Sequence, residues 1–311
     1  MKNFCRFHSN LFFAFIFISF TFSIFQFQIF AQTDDDQEIK VESSLVIINA
    51  FITDKNGKSV LGLKKSDFKV FEDSKEQAIT LDFFQAQETP FAVVILMDTS
   101  GSMEQRVSLA RSAAINFLGG LRTEDNVAIY NFDSKVSLVQ DFSDSRDITE
   151  KAFDLKADGM TVLNDAVYQA AQLLEKRTEK RRAIIVLSDG ADNRSKFSAG
   201  KALKAALDAN ALIYTVDMSS PETELKAKLQ NTGILKNFAE KTGGKYISTP
   251  GGVQLRETFK NIVEEIGNQY TFGYEPNGVK KDGKWHTIEV RVSRPNLKIR
   301  AREGYNAAKV K

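Results

Sequence analysis

Apolar and polar positions change rhythm three times along this chain. The first stretch reads as strands. "VIINAFITDKNGKSV" is β-branched and aromatic until it breaks at Asp54-Lys55-Asn56-Gly57, a turn composition. "FKVFED" and "ITLDFF" alternate apolar with polar residues on either side of "SKEQ", which predicts a hairpin. From Pro90 the pattern becomes strand, helix, strand, helix. The strands are "FAVVILMD", "NVAIYNFD", "VSLVQDF", "RAIIVLSD", "ALIYTVDM" and a short "KYIST". Most are continuously apolar, as strands covered on both faces must be. Between them Val107, Ala110, Ala114, Phe117 and Leu121 share one helical face, as do Leu255, Phe259, Ile262 and Ile266. Past Asn268 strands return as "QYTFGYEP", "HTIEVRVSR" and "KIRAREGY", with Asn277-Gly278 and Asp282-Gly283 as turns. The alternation predicts a doubly wound, mostly parallel α/β sheet over residues 89–268. The strands of 32–88 and 269–311 are too few to make separate cores. They predict one small β-sandwich in which 269–311 packs with 39–88 and the α/β unit is an insertion.

Residues 1–31 stand outside this scheme. Lys2 and Arg6 precede an apolar, Phe-rich stretch from Leu11 to Phe30, and Ala31 offers a small residue before a cleavage point. That order predicts a signal peptide, with an uncleaved membrane anchor as the alternative because the stretch is long. Either way the bulk of the chain is expected outside the cytoplasm, whether periplasmic, on the cell surface or secreted. Without the leader, 42 − 2 = 40 basic residues face 40 acidic ones. That balance gives no electrostatic reason to expect nucleic acid, or a membrane beyond the N-terminal anchor, as partner. Cys5 and His8 leave with the leader, so His286 is the one imidazole that stays. Cys nucleophiles, Cys or His zinc sites and most His-dependent triads are thereby excluded.

Candidate chemistry lies where strands end. In an open α/β sheet ligands bind beyond the carboxyl ends of the strands, where strand order reverses. In "DTSGS" Asp98 ends a strand, Ser100 and Ser102 follow, and Gly101 permits a tight bend. "DGMTVLND" is a loop entering a helix and offers Thr161, and in "LSDGAD" Asp189 ends another apolar strand. All are hard oxygen donors, suited to Mg²⁺ and unsuited to zinc or copper.

Asp98, Ser100, Ser102, Thr161 and Asp189 together resemble the metal-ion-dependent adhesion site (MIDAS) of von Willebrand factor type A domains, a Rossmann-like fold, and the likeness extends over residues 89–268. "FITDKNGKSVLGLKKSDFKVFED" before that unit, and "YTFGYEP", "WHTIEVRVSR" and "RAREGY" after it, resemble bacterial exported VWFA-related proteins of the acidobacterial type. The resemblance implies that Ser100, Ser102 and Thr161 bind Mg²⁺ (or Mn²⁺ or Ca²⁺) through their hydroxyls. Asp98 and Asp189 would act mainly through bound water. A protein partner would supply an Asp or Glu carboxylate to the open position. Selectivity would come from Asp158 to Met160, Ala191 to Phe197 and Ser219 to Gly233. No catalysis is implied and the oligomeric state is open. Two other readings stay in view: a structural envelope component whose metal only orders loops, and an Asp-nucleophile phosphatase. The second would need an aspartate where Ser100 stands, and no G-x-x-x-x-G-K-[ST] loop is present.

Blander roles are expected elsewhere. Asp192 caps or solvates its loop, Asp133 is a strand-end turn acid, and Asp165 suits a helix dipole. His286 and Trp285 are packing residues. Asn193-Arg194-Ser195 has the form of a glycosylation sequon but is expected to stay unmodified. The basic run Lys176 to Arg182 reads as a solvated helix end.

Overall fold

The computed structural model describes residues 45–81, 89–220, 223–248, 252–276 and 282–307. The leader, Asp82 to Phe84 of the expected hairpin and the Asn277-Gly278 turn lie outside them. Among the described residues no helix is long and apolar enough to cross a membrane.

A six-stranded sheet carries the middle of the chain. Its strands are β4 (Phe91–Asp98), β5 (Asn126–Phe132), β6 (Val136–Ser143), β7 (Arg181–Ser188), β8 (Ala211–Asp217) and β9 (Tyr246–Ser248). They lie in the order β6-β5-β4-β7-β8-β9, parallel except for the edge strand β6. The sheet grows outward from β4 in both directions, so strand order reverses there, the place where sheets of this kind bind ligands. Successive residues of β4 point to opposite faces. Phe91, Val93, Ile95 and Met97 pack with α1 (Val107–Gly119) and α5 (Gly252–Gly267). Ala92, Val94 and Leu96 pack with α2 (Leu163–Glu175), α3 (Ala199–Asp208) and α4 (Leu225–Thr242). Every β4 residue is buried, and this double cover explains why the strand reads as unbroken apolar sequence.

The two ends of the chain build a separate core. The N-terminal strands are β1 (Val46–Thr53), β2 (Phe68–Glu72) and β3 (Lys75–Gln77). The C-terminal ones are β10 (Tyr270–Tyr274), β11 (Trp285–Val292), β12 (Lys298–Arg300) and β13 (Gly304–Asn306). One sheet is ordered β10-β1-β12 and the other β13-β11-β2-β3, so strands from both ends pair in each. Ile48, Ile52, Val70, Phe272 and Tyr274 fill the space between them.

Three expectations need correction. The hairpin closes earlier than its pattern suggests. Asp73 and Ser74 take left-handed conformations (φ 46° and 68°), which makes a two-residue turn and returns the chain as Lys75–Gln77, inside the expected "SKEQ" loop. Ile79 forms only an isolated bridge to Tyr274. "KIRAREGY" divides into two short strands that join different sheets.

The basic run is the third correction. α2 ends at Glu175, and Arg181, in β7, is fully buried. Its guanidinium donates to the carbonyls of Gly267 (2.9 Å) and Gln269 (2.6 Å) and to Thr271 Oγ1 (3.3 Å). Thr271 Oγ1 in turn donates to Asn49 Oδ1 (2.8 Å), so the link runs from the parallel sheet into β1. Burial, with the Arg122 charge nearby, lowers the Arg181 pKa to about 10. Arg181→Met strands two carbonyls and is expected to cost about 2–4 kcal/mol in urea unfolding. A loss below about 0.5 kcal/mol would show that this junction carries no weight.

Candidate functional site

The sheet's switch point places Asp98 at the carboxyl end of β4, fully buried. One of its oxygens accepts from the Ser100 amide (2.9 Å) and the Ser100 hydroxyl (2.6 Å), and the other accepts from the Ser188 hydroxyl (2.5 Å). Ser188 Oγ also accepts from the Gly190 amide (3.0 Å). Asp98 thus holds the turn after its own strand and the last residue of the neighbouring strand. On the other side the Thr99 amide donates to Phe132 O (2.8 Å), and Asn131 Nδ2 donates to Thr99 Oγ1 (3.0 Å). After Ser100 the chain makes one 3₁₀ turn, Gly101–Met103, with Met103 buried beneath it and Ser102 facing solvent. The Ser100 and Ser102 hydroxyls stand 3.3 Å apart.

The Thr161 loop is fastened to this turn. Gly101 N donates to Gly159 O (3.2 Å) and Asp158 N to Thr99 O (2.9 Å). Gly159 has φ +76°, and a Cβ there would stand 2.5 Å from Ser134 Oγ, the acceptor for Met160 N at 3.0 Å. On its far side the loop is fastened to the one that follows Asp189. Thr161 N donates to Asn193 Oδ1 (2.9 Å), and Thr161 O accepts from the amides of Asn193 (3.2 Å) and Arg194 (3.1 Å).

The first turn of α2 has no side-chain cap of its own. Its amides are satisfied from the 192–195 segment instead: Asn164 N by Asp192 Oδ2 (2.8 Å) and Asp165 N by Ser195 Oγ (3.1 Å). Asp165 Oδ1 in turn accepts from Phe197 N (2.9 Å). Asp192 is therefore a cap supplied by another loop. Asp165 ties the loops together, a use beyond favouring the helix dipole. Asp133 Oδ1 accepts from Lys135 N (3.1 Å), as a turn acid does.

Asp189 is buried, and its Oδ1 accepts from Ala191 N (3.0 Å). Gly190 beside it has φ +80°, and a Cβ there would stand 2.7 Å from Asn231 O of α4, so the loop lies directly against that helix. All the bonds of Thr161 run through its main chain. Its hydroxyl, and the second oxygen of Asp189, have no hydrogen-bond partner among the described residues. The carboxylates of Asp98 and Asp189 and the hydroxyls of Ser100, Ser102 and Thr161 are all hard oxygen donors, which suit a hard divalent cation.

Sequence reasoning missed Ser188, Asn193 and Ser195. Ser188 was visible in "LSDG", but its service to Asp98 depends on β4 and β7 being neighbours. The motif alone is also not diagnostic. At the end of β8, Ser219 N and Oγ bond Asp217 Oδ1 at 2.8 and 2.5 Å in the same D-x-S turn, and there Tyr246 OH takes the second oxygen at 2.6 Å.

Burial raises the Asp98 pKa from 3.8 to about 6; the Ser100 and Ser188 bonds oppose the rise and the Asp189 charge adds to it. The folded chain thus holds a proton that the unfolded chain releases between pH about 4 and 6. Metal-free stability accordingly falls as pH climbs through that window, by about 3 kcal/mol in all. In EDTA, the stability of Asp98→Asn relative to wild type is expected to rise by about that amount from pH 4 to pH 7. A difference that stays flat with pH would contradict the buried charge.

Residues 93–191 match the family model described as "von Willebrand factor type A domain". Inter-alpha-trypsin inhibitor heavy chain H4 of Sus scrofa is 26% identical over 212 residues, which cover 62% of this chain and 22% of that protein. A UPF0353 protein of Nocardia farcinica is 24% identical over 217 residues, 58% of this chain and 64% of that one. The chain spans about a fifth of the length of the heavy chains it matches. Among solved structures, a von Willebrand factor type A protein from Catenulispora acidiphila covers 79% of this chain and 74% of its own, with 14% identity and a TM-score of 0.49.

Proposed function

The chain carries a von Willebrand factor type A domain, and from that premise we propose that it is an exported, non-enzymatic protein-binding module that works through a bound divalent cation. Ser100, Ser102 and Thr161 would ligate Mg²⁺ (or Mn²⁺ or Ca²⁺), with Asp98 and Asp189 holding its waters. The ion would supply a Lewis-acidic position for an Asp or Glu carboxylate of the partner. The observation that carries this reading is the buried Asp98 carboxylate at the switch point, held by the Ser100 and Ser188 hydroxyls, with the charge of Asp189 close enough to act on it. Buried negative charge of this kind is stabilised by a cation. The leader at 1–31 supports export.

The hydrogen bonds described above already hold the three loops together. That favours an ion which engages a partner over one which only orders loops. Met160 is 48% exposed, and Leu225 and Leu229 on the first turns of α4 are 71% and 66% exposed. These apolar side chains lie within two of the stretches expected to set selectivity. The Asp158 to Met160 stretch is a loop, and the Ser219 to Gly233 stretch runs into a helix.

Thr161→Ala removes a hydroxyl that no other described bond uses. It is expected to weaken Mg²⁺ binding by isothermal titration at least about tenfold while circular dichroism and unfolding stay within about 1 kcal/mol of wild type. Wild-type chain that binds neither Mg²⁺ nor Mn²⁺ would refute the proposal.

A further inference from the structure

A second cluster of ligating atoms lies in the β-sandwich, built from strands of both chain ends. Glu72 ends β2, Asp73 opens the two-residue turn after it, and His286 lies on β11, whose Ile288 pairs with Glu72. His286 and Glu72 are buried, and the Asp73 side chain is 38% exposed, which opens the cluster to solvent on one side. One atom from each residue, a ring nitrogen and two carboxylate oxygens, lies within 4.8 Å of the others. We propose that Glu72, Asp73 and His286 bind one first-row transition-metal dication, Zn²⁺ above Mg²⁺, through His286 Nδ1, Glu72 Oε1 and Asp73 Oδ2, with water as the fourth ligand.

The argument rests on how the outer atoms of these residues are held. Glu72 Oε2 accepts from Tyr274 OH (2.8 Å) and Tyr305 OH (3.2 Å). Asp73 Oδ1 accepts from Thr287 N (3.0 Å) and Thr287 Oγ1 (3.2 Å). His286 Nε2 stands 3.1 Å from Asp282 Oδ1, the carboxylate–imidazole arrangement that fixes a ligating histidine's tautomer and turns its other nitrogen toward a metal. Each side chain is thus oriented from behind, and the remaining atoms converge. His286 Nδ1 is 2.7 Å from Asp73 Oδ2 and 3.8 Å from Glu72 Oε1. Ligand atoms around a tetrahedral zinc ion stand about 3.3 Å apart, between those two separations, so rotamer shifts of about half an ångström complete the site.

One imidazole with two carboxylates is a borderline set. Nitrogen favours Zn²⁺ over Mg²⁺, and a single ring nitrogen suffices when carboxylates fill out the coordination. The exclusion of histidine zinc sites drawn from the sequence counted imidazoles alone. In the metal-free chain the 2.7 Å contact between His286 Nδ1 and Asp73 Oδ2 is bridged by one proton. Binding exchanges that bridging proton for the ion: the proton leaves to solvent as the Nδ1–metal and Asp73–metal bonds form.

The test is titration of Zn²⁺ into the full chain in excess Mg²⁺, which fills the site proposed at β4 and leaves this one as the variable. One Zn²⁺ per chain is expected, with about one proton released as judged from buffers of different ionisation enthalpy. His286→Gln is expected to lower the affinity about 100-fold or more, and Asp282→Asn by about 10–100-fold. No Zn²⁺ binding, or equal binding by wild type and His286→Gln, overturns the proposal and leaves the cluster a hydrogen-bonded one. Should His286→Gln not fold, ¹⁵N spectra of the wild-type ring decide: equimolar Zn²⁺ must shift the Nδ1 resonance, and an unmoved signal overturns the assignment. Failure of Mg²⁺ binding at β4 leaves each of these readouts intact.

Discussion

A carboxylate with no exposure to water, at the end of the central strand, is the constraint around which this molecule is arranged. Asp98 would be costly there alone. It is tolerated because the Ser100 hydroxyl and amide hold one oxygen while the Ser188 hydroxyl holds the other. Those bonds tie β4 to the turn that follows it and to β7. From Ser188 and Gly190 the network passes to the Asp189 loop, through Asn193 to Thr161, and through Gly159 back to Gly101. The circuit is closed. A change that breaks any of these bonds therefore acts on the whole rim, and loops that look independent in sequence behave as one surface.

The remainder of the fold keeps that rim in place. Both faces of the sheet are covered by helices, so β4 cannot slide without breaking two cores. Beyond the opposite end of the strands, the two chain ends close over each other as a sandwich, and Arg181 links the start of β7 to the approach to β10. Asn49, Thr271 and Arg181 form a polar chain between the two cores. Insertion of one unit into the other thereby fixes both ends of the α/β segment.

Much of this was legible in sequence, for a local reason. Buried parallel strands are unbroken apolar runs, so β4, β5, β7 and β8 announced themselves, and Asp98, Thr161 and Asp189 stood out as oxygen-bearing residues at their ends or in the loops between. What was not legible depends on neighbours that only the fold supplies. Ser188 bonds Asp98 because β7 lies beside β4. Asp192 and Ser195 cap a helix that begins some thirty residues earlier. Arg181 sits in a basic run whose charges suggested a solvated helix end, yet it is buried because carbonyls from the α5–β10 link converge on it. The Asp73-Ser74 turn gave no glycine or asparagine signal, so the hairpin was placed too late. His286 read as a packing residue because the carboxylates around it lie more than two hundred positions away or in a turn.

The central claim is that the oxygens gathered at the end of β4 hold a cation with a position open to a partner. Diffraction from crystals grown in Mn²⁺, recorded to bring out its anomalous signal, tests it most directly. The account requires a peak bonded to the hydroxyls of Ser100, Ser102 and Thr161, with Asp98 and Asp189 flanking it. A map with no peak there at saturating Mn²⁺, or with Thr161 turned away from the ion, would contradict it.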